Sequence, residues 1–89
     1  MPETLDIQSI RGALRDFLES EILAPGVGFD DATPLAELGV DSMSLVQLTL
    51  FIERRFGLII PDDQLTRTNL ATLDSLAACV ERLAAGEGP

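Results

Sequence analysis

Apolar residues recur at steps of three and four in three separate stretches of this chain, a spacing that commits it to helices rather than strands. In the first stretch Ile7, Ile10, Leu14, Phe17 and Leu18 share one face, while Asp6, Arg11, Arg15, Asp16 and Glu19 fall largely off it. The pattern predicts a helix over about residues 5–23, with Thr4 as N-cap and Pro25-Gly26 as its stop. A second helix is predicted from Ser42 to Phe56, capped by Asp41 and ended by Gly57. A last helix is predicted from about Leu73 to Ala85, with Thr72 as N-cap, Gly86 as stop, and a stripe of Leu73, Leu76, Ala77, Val80 and Leu83.

Between the first two helices, residues 25–40 sustain no period and read as a long loop. Gly26, Gly28, Asp30, Asp31, Pro34 and Gly39 punctuate it, while Val27, Phe29, Leu35 and Leu38 give it apolar contacts with which to pack on the helices. A structured loop of this length in a small domain is often functional. Ile59 to Leu65 reads as an apolar link into a short turn of helix, with Asp62 and Asp63 in its first turn. No internal repeat and no β-hairpin signal interrupts this order. The expected fold is all-α: a small bundle of three main helices plus one short one.

The chain of 89 residues is read as one domain, with its core over about 5–85 and a flexible tail at 86–89. Hydrophobic residues make up 46 %, too many for a disordered chain. No stretch reaches the roughly 20 apolar residues that span a bilayer. No basic patch and apolar run opens the sequence, so the expectation is a cytoplasmic protein without a signal peptide. The start at Met1 suggests a free-standing protein rather than a slice of a multidomain synthase. The net charge is −9, with six arginines, no lysine and no histidine. That balance disfavours nucleic acid and anionic membranes, and it favours partners with basic patches. Without histidine there is no imidazole base or imidazole metal ligand. The single Cys79 forms no internal disulfide, and its place inside a helical pattern reads as a small buried hydrophobe. Asp30-Asp31 and Asp62-Asp63 lack the spacing of a calcium loop and read as loop and helix-start acids; no metal site is expected.

The second helix has two apolar faces. On a wheel of about 100° per residue, Leu45, Leu48, Ile52 and Phe56 cluster on one side. Met43, Val46 and Leu50 cluster opposite, joined there by Gln47 and Arg54. Either this helix is central and buried all round, or the second stripe is an exposed docking patch. A bundle this small has few elements to cover both faces, which favours docking.

At the start of that helix stands Leu38-Gly39-Val40-Asp41-Ser42-Met43. Asp41-Ser42 has the composition of a simple cap. Yet the Ser42 hydroxyl would also project near unpaired backbone N–H groups and the positive end of the helix dipole, where a phosphate is favoured. No histidine and no Gly-x-Ser-x-Gly turn makes Ser42 a hydrolase nucleophile.

This segment resembles the attachment motif of acyl and peptidyl carrier proteins, Gly-x-Asp-Ser-Leu/Met. The resemblance continues through Arg55-Phe56-Gly57, then Ile60-Pro61-Asp62, then a capped last helix, and covers about residues 5–85. It implies that a phosphopantetheinyl transferase moves 4′-phosphopantetheine from coenzyme A onto Ser42, with Asp41 aiding recognition. It further implies a non-catalytic carrier, in all expectation a monomer, whose arm holds acyl or aminoacyl groups as thioesters for a synthase, ligase or acyltransferase. The docking patch then maps to Met43, Val46, Gln47, Leu50 and Arg54 of the second helix. Two features depart from the family. Fatty-acid carriers of the bacterial type carry a run of acids along helix II, where this chain has Gln47, Glu53, Arg54 and Arg55, and Met43 replaces the commoner Leu. The first departure points away from the fatty-acid machinery and towards a dedicated partner. A discrete carrier of a polyketide, nonribosomal-peptide or aminoacyl-transfer pathway fits best, and Leu65-Thr66-Arg67-Thr68-Asn69-Leu70 is similar to some discrete aminoacyl carriers. The alternatives are a fatty-acid carrier and a helical interaction module without a prosthetic group.

Overall fold

The computed structural model describes residues 6–24 and 26–86. Helix α1 is Ile7–Phe17, and its N-cap is Asp6, whose Oδ1 accepts the Ser9 N–H at 2.7 Å. Thr4, expected as the cap, lies outside the described residues. The helix continues past Phe17 as one π-helical turn, Leu18–Ile22, closed by the Leu23 N–H on the Leu18 carbonyl at 2.7 Å. Ser20 Oγ donates to the Asp16 carbonyl there, an acceptor bond that competes with the regular ladder. The wider turn keeps Leu18 buried and packs Ile22 and Leu23 against the core.

The loop that follows is less irregular than its composition suggests. Leu35–Leu38 forms a 3-10 turn ended by Gly39, whose φ of 82° is the left-handed conformation that glycine adopts without strain. Pro34 pairs with Thr72 in an isolated antiparallel bridge, and the Leu35 N–H donates to the Ala71 carbonyl at 2.9 Å. The Asp74 N–H donates to the Asp31 carbonyl at 3.0 Å. The loop is thereby stitched to the start of the last helix, with Leu35 and Val40 buried.

Helix α2 is Ser42–Phe56, with Asp41 and Gly57 as its caps, the bounds that the sequence indicates. Leu48 and Ile52 are buried, and Leu45 and Phe56 pack partly buried against the core. A second 3-10 turn, Asp62–Gln64, follows the buried Ile60. Helix α3 is Leu73–Ala84, one residue shorter than expected, with Ala85 as its C-cap. Thr72 and Ser75 close a reciprocal capping box at 3.0 Å in each direction. Helix α1 packs on both α2 and α3. The three helices and both links share one apolar core, to which α1 gives Ile10, Leu14 and Leu18 and α3 gives Leu73, Leu76, Ala77 and Val80.

Polar contacts at the edge of this core are tied as well. Arg15 Nη2 meets Asp31 Oδ1 at 2.7 Å, and Arg11 Nη2 meets Asp74 Oδ1 at 2.9 Å, joining α1 to the loop and to α3. The Arg15 guanidinium also lies 4.3 Å from the Phe29 ring centre. Asp31 thus has a structural use, and among the described residues no group of three or more Cys, Asp or Glu side chains is placed to hold a metal. Cys79 is 1 % exposed. Burial raises its thiol pKa above the ordinary value, with Arg82 nearby offsetting part of the effect. No described helix is long and apolar enough to cross a membrane.

Candidate functional site: the start of helix α2

Gly39 turns the chain, buried Val40 anchors it, and Asp41 stands in extended conformation as the N-cap of α2. Asp41 Oδ1 accepts the Ser44 N–H at 2.9 Å, and the Asp41 carbonyl accepts the Leu45 N–H at 2.9 Å. The Ser44 N–H bond, followed by the Ser44 hydroxyl, holds the Asp41 carboxyl below its ordinary pKa, so it is ionised at neutral pH. The Met43 N–H also points at the Asp41 carboxylate and adds to its lowered pKa, which leaves the Ser42 N–H without an acceptor among the described residues.

Ser42 is the first residue of α2, and it is exposed. Its hydroxyl makes no hydrogen bond among the described residues. An accessible hydroxyl beside a free N–H at the positive end of a 15-residue helix fits a phosphodiester. Beside it, Val40, Leu45, Leu70, Ala71 and Arg67 line a shallow cleft of about 380 Å³.

The second stripe of α2 is exposed: Met43 by 68 %, Val46 by 53 % and Leu50 by 45 %. The all-round-buried reading of this helix is thereby set aside. Gln47 and Arg54 are exposed on the same side. Next to the stripe, Leu45, Val46, Thr49, Leu50, Leu65 and Leu70 enclose a cleft of about 270 Å³. Sequence reasoning assigned no part to Leu65 or Leu70 here. The signal available was their apolar character in a segment of turns, which leaves their direction undefined. Glu53 is also accounted for, since its Oε2 accepts the Ile60 N–H at 3.1 Å and ties α2 to the following link.

A three-helix fold presenting an unengaged serine hydroxyl at a helix start, with an exposed apolar stripe running away from it, is the form of a carrier domain. The chain belongs to the phosphopantetheine attachment site family (PP-binding), whose model matches residues 8–80. The domain carries 4′-phosphopantetheine as a covalent cofactor and is non-catalytic. Among solved structures, one similar chain is the carrier protein in the crystal structure of Bradyrhizobium japonicum glycine:[carrier protein] ligase complexed with glycylated carrier protein. It is 26 % identical, with 82 % of this chain and 96 % of that chain covered at a TM-score of 0.67. A second is the cognate carrier protein in a complex of the same ligase with an analogue of glycyl adenylate. It is 25 % identical, with 90 % of this chain and 91 % of that chain covered at a TM-score of 0.58. Among curated proteins no relative matches.

Proposed function

We propose that this protein is an aminoacyl carrier, with the arm on Ser42 and an amino-acid ligase as its loading partner. When bound, the arm supplies a terminal thiol that holds the cargo as a thioester. The observation that carries the attachment point is the Ser42 hydroxyl: exposed, free of hydrogen bonds among the described residues, and at the positive end of α2 beside its own unpaired N–H. That N–H and the helix dipole would face the phosphate oxygens once the ester is made, the N–H donating. Asp41 orders this turn through its bond to Ser44, so it holds Ser42 on the first turn where a phosphopantetheinyl transferase can reach it. What supports amino-acid cargo, rather than a fatty acyl or polyketide unit, is likeness to a glycylated carrier protein seen in complex with a glycine:[carrier protein] ligase. The sequence agrees, since α2 lacks the acidic run of fatty-acid carriers.

The test is an intact mass of the protein after incubation with coenzyme A, magnesium and a broad-specificity phosphopantetheinyl transferase. The parent gains one phosphopantetheine and Ser42→Ala gains none while keeping its helical circular dichroism. Equal gain by both proteins removes Ser42 as the attachment point. Loading is then read by supplying ATP, glycine and the ligase to the holo protein. A further mass gain of one glycyl group, lost on mild hydroxylamine treatment, is the expected result.

A further inference from the structure

The exposed face of α2 runs against the charge of the whole molecule. The net charge is −9, and a basic partner is the expectation that follows from it. Between Ser42 and Phe56, however, the only carboxylate is Glu53, and it is occupied with the Ile60 N–H. Arg54 lies one turn beyond Leu50 and two beyond Val46, in the same row of the helix. Its neighbours at spacings of three and four are Leu50, Phe51, Gly57 and Leu58, so the helix offers it no acid. Among the described residues Arg54 makes no ion pair, whereas Arg11 and Arg15 are paired and Arg55 lies 5.3 Å from the Phe56 ring centre.

Beside that row is the cleft of about 270 Å³ between α2 and Leu65 and Leu70. The hydroxyl on its wall, Thr49 Oγ1, is already committed to the Leu45 carbonyl at 2.8 Å. The cleft therefore offers no free donor and suits one large aliphatic or aromatic side chain. Apolar socket and unpaired guanidinium are adjacent on one face.

We infer that the loading ligase docks here with one large apolar side chain in the Leu50–Leu65 socket and a carboxylate on Arg54, an acidic rather than a basic docking surface. This rests on the aminoacyl-carrier reading above. Burial in the socket provides most of the affinity, and the guanidinium sets register along α2.

The test uses the holo protein as substrate for the Bradyrhizobium japonicum glycine:[carrier protein] ligase, with glycine and ATP, in low and high salt. Variants are Arg54→Glu, Arg54→Lys, Leu50→Ala and Leu65→Ala. All three positions are exposed, and an unchanged helical circular dichroism of each variant confirms that the fold is kept. The expected result is a KM for the carrier raised on the order of tenfold by Arg54→Glu, Leu50→Ala and Leu65→Ala. Carrier-independent glycine adenylation is unchanged throughout, and Arg54→Lys retains most of the loading. Salt raises the parental KM and narrows the gap between parent and Arg54→Glu, but not that between parent and Leu50→Ala. Loading of Arg54→Glu as efficient as that of the parent, or better, overturns an acidic docking surface. Full loading of both leucine variants overturns the socket. A holo parent that is not glycylated overturns the aminoacyl-carrier reading and this inference with it, and is told apart from the other outcomes by the absence of any parental rate.

Discussion

A carrier that works through a thiol on its arm is best served by having no other reactive thiol, and Cys79 meets that requirement through burial. Its side chain is 1 % exposed, with its Sγ 3.9 Å from Gln64 Oε1 of the preceding link. Burial disfavours the thiolate, which is the nucleophilic form, so the pKa shift and the steric shielding act in the same direction. In a titration with a chromogenic disulfide reagent at pH 8, the apo protein is expected to react slowly and the holo protein to show one fast equivalent. Unfolding in urea then releases the second. A fast equivalent from native apo protein would contradict the buried thiol. Cys79 was readable as a small buried residue from its place inside the last helical pattern. Ser42 was readable as a special position only through motif resemblance, since cap chemistry alone gives Asp-Ser the same appearance in any helix.

At the scale of the elements, each cap depends on a short side chain next to it in sequence, which is why α2 and α3 could be placed within a residue. Asp41 and Thr72 each bond an N–H three residues on, and the αL conformation of Gly57 marks the end of α2. Helix α1 was harder, for two physical reasons. Thr4 and Asp6 are both competent caps, so local propensity does not choose between them. The π-turn at Leu18–Ile22 shifts the hydrogen bonds by one residue without removing apolar residues from the core face, so periodicity stays nearly intact across it. The 3-10 turn at Leu35–Leu38 was hidden because four residues are too few to display a period. The α3 cap is also where the long loop is fastened, since Thr72 pairs with Pro34. Thr72→Ala removes the half of the capping box that accepts the Ser75 N–H, and a loss of about 1 kcal/mol of unfolding free energy is expected from urea titration. Thr72→Ser keeps the acceptor and should recover most of it. Equal loss in both variants would mean that the methyl group, not the cap, is what matters.

At the scale of the molecule, the arrangement solves a problem of small size. A bundle of this length has stability of about 5–15 kcal/mol, yet it leaves three large apolar residues of α2 in solvent. The core must therefore be completed from elsewhere, and the loop between α1 and α2 completes it. Leu35 is 2 % exposed, its N–H is fixed to the Ala71 carbonyl, and Val40 seals the core five residues later, immediately before Asp41. The same contacts that close the core hold Ser42 where it is presented. Leu35→Ala should accordingly have two linked effects. Truncating a fully buried leucine costs about 2–5 kcal/mol, a large part of the total, so the urea midpoint should fall with an unchanged m-value. The transfer of phosphopantetheine to Ser42 should also slow under conditions where the variant remains folded, because the Asp41 turn loses its anchor on the core. Leu83→Ala is the control. That residue is also packed against the core, but at the far end of α3, remote in sequence from the loop. It should lower the midpoint without slowing the transfer. If both variants, compared at equal folded fraction, are modified as fast as the parent, the loop only fills the core, and presentation of Ser42 belongs to the Asp41 cap alone.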